Sequence, residues 1–561
     1  MRATALRVHN FRSLQDVEIN LQPFSVLVGA NNSGKSNLID AIRVFYDHLK
    51  FDRQRDFPKL STKDRESWIE IEFHLSENEW TNLSDKYRLS SERKIRVRRY
   101  VLSESRGVGL YFVKKKEDRD EVADELFYGA KNVQKAKLGK VIYIPAVSKL
   151  DEQTKLTGPS PFRDLISMVL DRVLSDSPSY AQLENAFREF EELVKGEKSK
   201  DGYSLKWLEE EITHAIENWG VEFRIGISPV SPSDILKNLV NYEVRDEFLG
   251  EGLDPRLYGQ GFQRHLIFTL IKLAAERSAL EAESSRKIFS GQLTWLLYEE
   301  PEAFLHPTQI ELLNRSLHTL TKGEKNESQV LISTHSPMFV SRNIAMLPSI
   351  IRLQRDGGRT IINQVTKKKL EKILSSNIEM MQGWQTPFEP EDLEVEMESV
   401  KYALWLDSRR CNAFFADIVL LVEGPSEVAL IEYLLEEGKI RAPGGKKVVV
   451  FDSMGKFNMH RFMNLFGYLG IRHSVLFDED QDDNSQPRYP EIDKTIFNAK
   501  NNATIKIDTL PSDLESFLGL PPARRPHRKP QHVMYHVRTK LVREKKLERF
   551  IKKIETLLQV G

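Results

Sequence analysis

The sequence holds a single cysteine in 561 residues, Cys411, so no disulfide can form within the chain and a cysteine-built zinc site is excluded. It has no uninterrupted apolar run of about twenty residues, the length a membrane-crossing helix requires, and no stretch that reads as a secretion signal. A cytoplasmic chain with no membrane partner is therefore expected. An excess of either charge is also missing, since 82 Lys and Arg stand against 82 Asp and Glu. Whole-chain charge does not announce a polyanionic partner, and any nucleic-acid contact has to rest on a local patch. No repeat of fixed period and no long low-complexity tract is present. What is there is 40% hydrophobic and 29% charged, the composition of an ordinary globular protein. A chain of this length is expected to divide into about two to four folded units.

The least ambiguous motif lies near the start. "FSVLVGANNSGKSNLIDAIRVF" reads as a buried strand over 24–28, a loop, and an amphipathic helix starting near Gly34. The loop Gly29, Ala30, Asn31, Asn32, Ser33, Gly34, Lys35, Ser36 satisfies G-x-x-x-x-G-K-[ST] in the strand–loop–helix setting that the pattern requires. Glycine lets the backbone wrap a phosphate, and the helix N-terminus offers N–H donors and a positive dipole. Lys35 is expected to reach the β/γ-phosphates of ATP, and Ser36 to ligate Mg²⁺.

The rest of an ATP site follows downstream. "LTWLLYEEPEAFLHP" gives an apolar strand over 293–297 that ends in Glu299 and Glu300. The first acid is expected to hold the metal shell and the second to polarise the attacking water. An aspartate is more usual in the first place, so the longer Glu299 bears on hydrolysis rate rather than on nucleotide binding. "VLISTHSP" supplies a strand ending at His335, placed to sense a γ-phosphate. Between these motifs, "YGQGFQRHLIFTLIKLAAE" opens a long helix at Gly259 and Gly261, with Leu266, Leu270 and Leu273 on one face.

Three helix-like stretches fill 161–219, with apolar spacings such as Leu165, Val169, Val173 and Leu183, Phe187, Phe190. Three short helices make a poor core and expose apolar faces. A second copy of the chain covers them on one reading, and the ATPase head of the same chain on the other. After Arg352 the chain passes through a hairpin at "QRDGGRTIINQV" and then "LSSNIEMMQGWQTPFEPEDLEVEMESV", which reads as loop-rich. A domain boundary is expected there.

A second site begins beyond that boundary. "FFADIVLLVEGPSEVALIEYLLEEG" reads as a buried strand over 418–422, a turn with Glu423, and a helix carrying Glu427 in its first turn. "HSVLFDEDQDD" is another short apolar strand ending in Asp478 and Asp480. Alternate residues of an extended chain point the same way, so both aspartates can reach one place. Chemistry in parallel sheets gathers at the carboxyl ends of strands. Four hard oxygen donors suit Mg²⁺ or Mn²⁺ rather than zinc. Further on, residues 524–553 carry twelve Lys or Arg against two Glu. Beside a carboxylate cluster, that patch suits phosphate contact, which is salt-sensitive and indifferent to base sequence.

These motifs together resemble a known family. "GANNSGKS", "YEEPEAFLHP" and "STHSP" look like an ATP-binding-cassette head of the RecF and SMC type, and "FFADIVLLVEGPSE" with "LFDED" resembles a Toprim domain. The combination is similar to the overcoming lysogenization defect (OLD) nucleases, which include the nuclease subunit of the Gabija antiphage system. The resemblance implies an α/β fold: an ABC-type (RecF/SMC-like) ATPase head with a helical dimerisation insertion, followed by a C-terminal Toprim domain. The implied divisions are ATPase over 1–160 and 221–405, insertion over 161–220, and Toprim over 406–561. It also implies that the helix at Gly259 and Gly261 caps nucleotide held by a partner subunit, hence a dimer or higher homo-oligomer. Glu423 and Asp478 become primary metal ligands, with Glu427 and Asp480 at a second metal position. "LPSDLESFLG" adds Asp513 and Glu515 as further ligands, although an N-cap and a capping glutamate explain the same residues. The family's later lysine matches Lys540 best, with Lys545 and Lys546 as rivals.

The expected activity is therefore two-metal hydrolysis of DNA phosphodiesters, with ions about 4 Å apart and with ATP regulating access or dimer geometry. A companion defence protein such as a helicase is implied as a possible partner. The alternative is a RecF-like, ATP-dependent DNA clamp whose Toprim domain only binds. Toprim topoisomerases act with a tyrosine, and Tyr535 stays open in that role.

Overall fold

The computed structural model describes residues 1–116, 119–146, 160–175, 177–225, 231, 242–245, 250, 252–280, 289, 291, 293–322, 328–340, 344–382, 384, 391, 394–481 and 489–559. The chain divides into two compact units, one formed by Met1–Ala146 with Ser284–Gly561 and the other by Val147–Glu283.

In the first unit the strands begin with β1 (Arg2–Phe11), β2 (Leu14–Asn20), β3 (Phe24–Val28), β4 (Ser67–His74), β5 (Lys94–Leu102), β6 (Gly109–Lys116), β7 (Arg119–Leu126) and β8 (Lys140–Ile144). An antiparallel sheet has the order β2-β1-β4-β5-β6-β7. Its alternating inward residues, among them Leu6, Val8, Ile69, Ile71, Phe73, Ile95 and Val97, enter one core with the helix Lys35–Phe45. The second unit supplies only the short pair β9 (Val244–Arg245) and β10 (Gly252–Leu253) among its described residues.

The first unit resumes with β11 (Thr294–Glu299), β12 (Ser328–Ser333), β13 (Ile350–Asp356) and β14 (Arg359–Gln364). The second sheet runs β14-β13-β3-β12-β11-β8, parallel except for the β13–β14 hairpin. Its central strands are continuous apolar runs, as burial on both faces of a parallel sheet demands. The phosphate loop leaves it from the carboxyl end of β3, and Glu299 and Glu300 stand at the carboxyl end of β11.

The third sheet consists of β15 (Ile418–Val422), β16 (Val448–Asp452), β17 (His473–Asp478) and β18 (Thr504–Leu510), in the parallel order β16-β15-β17-β18. The chain steps from β15 outward to β16, then crosses back to β17 on the other side. A crevice at the carboxyl ends of β15 and β17 is the result. The helices Pro425–Glu436 and Glu544–Leu558 cover this sheet through Leu430, Ile431, Leu434, Phe550, Ile554, Leu557 and Leu558.

One expectation is corrected here. The two ends of the stretch 374–400 are helical rather than loop-rich, in the helices Lys367–Met381 and Val395–Trp405, while 383, 385–390, 392 and 393 lie outside the described residues. The second of these buries only Glu398 and Tyr402: Glu398 Oε1 accepts from Arg461 Nη2 at 2.7 Å and Nε at 2.9 Å, and Tyr402 donates to the Arg461 carbonyl at 2.7 Å. A polar core leaves no apolar period to read. In the helix Gln260–Leu280 of the second unit, the buried positions are Arg264, Ile267 and Phe268, while Leu273 is exposed. The helix is apolar on more than one face, with Leu266 and Leu270 half-buried.

Candidate functional site

The phosphate loop is built as its sequence requires. Gly29 and Gly34 take φ of 142° and 107°, and Asn32 takes 61°. A Cβ on Gly29 would lie 2.2 Å from the Leu353 carbonyl oxygen, and one on Gly34 would lie 2.3 Å from Thr360 Oγ1. Only glycine fits either place. Lys35 folds back and donates to the carbonyls of Gly29 and Ala30, both at 2.9 Å. Burial lowers its pKa to about 8 against the opposing fields of Glu300 and Glu302. The Ser33 hydroxyl is buried without a hydrogen-bond partner, and the first helical turn contains no acid. A phosphate fits this cradle, because it offers acceptors to the amide donors and draws Lys35 off the carbonyls. Asn31, Asn32 and Ser36 are exposed at its rim.

The acids beside the loop are differentiated by their contacts. Glu299 accepts from Tyr143 at 2.9 Å. Glu300 follows with φ of 44°, and its carboxylate lies 3.9 Å from His335 Nε2. Glu302 was not singled out by the sequence reading. It accepts from the His335 amide at 2.6 Å and from Thr334 Oγ1 at 2.8 Å, so it anchors the turn that aims His335. Burial raises its pKa, while burial and the neighbouring Lys35 lower that of His335. Gly259 and Gly261 belong to the second unit, just before and within the first turn of the helix Gln260–Leu280.

The second site lies in the crevice of the third sheet. The turn after β15 places Glu423, whose Oε1 accepts from the Asp478 amide at 2.7 Å. Glu427 sits in the first turn of the following helix and accepts from the Gly424 amide at 3.1 Å, a helix cap. Asp480 takes φ of 49° after β17. Asp513 caps the helix Leu514–Leu518 by accepting from the Ser516 amide at 2.8 Å, and Glu515 is buried with Oε1 unpartnered. Both explanations weighed for these two residues are therefore represented, the cap by Asp513 and an unspent buried oxygen by Glu515.

Electrostatics shows that the six acids share one region. Burial raises Glu423 to about 7, with Asp480 and Glu427 adding to it, and burial with Glu515 raises Glu427 to about 7. Asp478 is pushed well above its usual range by burial and then by Glu423, Glu427, Asp480 and Asp513. Two lysines that the sequence reading missed answer this charge. Lys456 is buried and donates to the Asp478 carbonyl at 2.8 Å, Asp480 at 2.9 Å and Asp493 at 3.2 Å. Lys529 lies 3.8 Å from Asp513 and 3.7 Å from Glu515.

Lys540 is exposed with φ of 58°, two residues past the helix Lys529–Arg538. Eleven residues along that helix and its end amount to roughly 17 Å at about 1.5 Å per residue. Lys529, rather than Lys540, is thus the lysine that stands against the acids. No local signal distinguishes it from the eleven other cations of its patch.

Among the described residues no three Asp, Glu, His or Cys are already arranged around a single ion. The reason is visible in the contacts above: Glu423 and Glu427 spend oxygens on backbone amides, and Asp480 faces Lys456. As a donor set the cluster nevertheless fits a hard divalent cation, since it offers only carboxylate oxygens, one of them buried and unpartnered. Rotation of the two glutamates off the amides frees the rest.

Comparison with known proteins accords with this layout. The sequence profile described as "AAA domain, putative AbiEii toxin, Type IV TA system" matches residues 24–341, and that described as "Overcoming lysogenization defect protein-like, TOPRIM domain" matches 414–480. The Old nuclease of Escherichia phage P2 is 22% identical over 506 residues, covering 86% of this chain and 77% of that protein. Endonuclease GajA of Bacillus cereus (strain VD045) is 24% identical over 507 residues, covering 86% of this chain and 75% of that protein. Among solved structures, the SMC head domain from Thermotoga maritima aligns with a TM-score of 0.30 and 14% identity, over 65% of this chain and 99% of that one. The chain belongs to the AAA-domain family whose profile it matches over 24–341, and it carries an OLD-like Toprim domain over 414–480.

Proposed function

We propose that the protein is a divalent-metal-dependent DNA endonuclease whose Toprim site is regulated by ATP bound at Gly29–Ser36. The observation that carries this reading is the crowding of six carboxylates at the strand-crossing crevice, where burial and mutual repulsion raise Glu423 and Glu427 to about 7 and push Asp478 well above its usual range. Such a cluster is costly to a fold and is useful where cations gather.

Glu423, Glu427, Asp478, Asp480, Asp513 and Glu515 would hold Mg²⁺ or Mn²⁺. The bound ions would supply an activated water and offset charge on the phosphoryl oxygens. Lys456 holds the turn 478–480 and fixes Asp480. Lys529 points its ammonium into the same region and suits a non-bridging oxygen of the scissile phosphate. The exposed cations Arg524, Arg525, Arg528, Arg538, Arg543, Lys545 and Arg549 suit the DNA backbone. The names of the relatives support a nuclease, and a role in phage defence follows as part of the proposal, which a plaque assay with and without the gene checks.

The direct experiment incubates purified protein with supercoiled plasmid, with and without Mg²⁺, Mn²⁺ and ATP. Asp478→Ala is expected to abolish cleavage while ATP hydrolysis continues. Lys529→Ala is expected to slow cleavage by about a hundredfold, the scale of losing one charged donor at a reacting centre, and Lys540→Ala to slow it far less. Undiminished cleavage by Asp478→Ala would remove the Toprim acids from the reaction, and no cleavage by the unaltered protein under any of these conditions would leave it as an ATP-dependent DNA clamp.

A further inference from the structure

Strand β13 lies beside the phosphate-loop strand in the ATPase sheet, and its third residue, Arg352, points out of that sheet into the Toprim fold. The guanidinium makes four hydrogen bonds there, all to backbone carbonyls. Nε donates to Phe414 at 3.1 Å, Nη2 to Ala416 at 2.9 Å, and Nη1 to Leu469 at 3.3 Å and Gly470 at 3.0 Å. Gln354, two residues on, donates to the same Gly470 carbonyl.

These carbonyls belong to two segments. Phe414 and Ala416 lead into β15, which ends at Glu423. Leu469 and Gly470 lead into β17, which ends at Asp478. One side chain thus grips the amino ends of both strands whose carboxyl ends carry the acids. Arg352 is 4% exposed and pairs with no carboxylate among the described residues. Burial depresses its pKa to about 10. A guanidinium sealed away from water, hydrogen-bonded to carbonyls with only the field of Asp417 in its favour, is a poor choice for stability, where a well-packed aliphatic chain serves as well or better. What it supplies is a fixed register between the two sheets, because five N–H donors in a rigid fork meet four acceptors in one geometry.

The other end of the connection is the phosphate loop. Arg352 pairs across the sheet with Val28, the residue before Gly29. The next carbonyl of β13, that of Leu353, sits so close to Gly29 that a Cβ there would be 2.2 Å away. The lysine of the loop is bound to the Gly29 carbonyl and must leave it to meet a phosphate.

We propose that Arg352 is a positioning residue for the Toprim acids, and the route by which an occupied phosphate loop acts on them. The proposal rests on the reading of Gly29–Ser36 as an ATP site. Displacement at Gly29 is passed to β13 by contact with Leu353, and from β13 to the amino ends of β15 and β17 together.

Hydrogen–deuterium exchange on the full chain, with and without ATP and Mg²⁺, tests this without relying on cleavage. In the unaltered protein, ATP protects 29–36 and changes exchange in 413–423 and 469–480. In Arg352→Met the protection at 29–36 remains and the distant response is lost. Arg352→Lys regains part of it, and Gln354→Ala, a milder change that spares the guanidinium, weakens it. In plasmid cleavage, a coupling of ordinary size, about tenfold with against without ATP, collapses toward one in Arg352→Met. The proposal is overturned if the distant response survives in Arg352→Met and Arg352→Lys, or if the unaltered protein shows protection at 29–36 with no distant response. Absence of protection at 29–36 removes the ATP-site reading itself, and the coupling with it.

Discussion

At the scale of single residues, the protein uses lysines as internal cations, and their partners decide what each can do. Lys35 is half of such an arrangement: buried, turned onto two carbonyls, and lowered to about 8. A bound phosphate would favour its charged form and raise that value, so binding takes up a proton wherever the free protein has lost one. Below about pH 8 the lysine is already charged and ATP affinity should be flat with pH. Above it, affinity should fall by as much as about tenfold per unit. Isothermal titration between pH 7 and 9.5 checks this, and Lys35→Met should bind weakly with that slope removed.

Elements show which parts of the molecule were legible from the chain. The strands over 24–28 and 418–422 were read from unbroken apolar runs, and the glycine pattern of the phosphate loop from its fixed spacing, because both signals are local. Glu423, Glu427, Asp478 and Asp480 are legible for the same reason, each falling at a strand end or helix start, whereas Asp513 and Glu515 come only from the family resemblance. What brings them into relation is not local. Lys456 approaches from the turn after β16, Lys529 from a helix after β18, and Glu302 from the turn after β11, so their roles appear only once the sheets are assembled. The helix Val395–Trp405 has no apolar period to read because the two residues it buries, Glu398 and Tyr402, make polar contacts. Asn377 and Glu398 are buried and hydrogen-bonded, with Asn377 bonding both Glu398 and Tyr402. This polar joint gives a stability prediction. Glu398 and Arg461 are both buried, so Glu398→Ala leaves a guanidinium without its carboxylate and should cost about 3–5 kcal/mol. Urea denaturation followed by circular dichroism reads the loss, and Glu398→Gln should recover part of it by keeping acceptors in place.

For the whole molecule, the open question of construction is what covers the helices of the second unit. Helices Pro178–Gly196 and Leu205–Ala215 bury no residue, while Phe190, Leu193 and Trp219 are 50%, 66% and 83% exposed. Val173 on the helix Pro161–Ser175 is 61% exposed as well. Scattered apolar side chains need no explanation, but several on adjoining helices amount to a surface with a use. Covering them gains about 25 cal/mol for each Å² removed from water, and an identical copy offers an equally apolar face. An ATPase head of this family gains a second reason to pair if the helix at Gly259 caps the nucleotide of another subunit. The chain is therefore expected to be a dimer or larger at micromolar concentration, measured by multi-angle light scattering without nucleotide. Replacing Phe190 and Leu193 by Asp should lower the mass toward that of one chain while leaving the far-ultraviolet circular dichroism unchanged, since neither side chain is buried in the isolated chain. A mass of one chain for the unaltered protein, both with and without ATP, would show that these faces are covered by something other than a second copy.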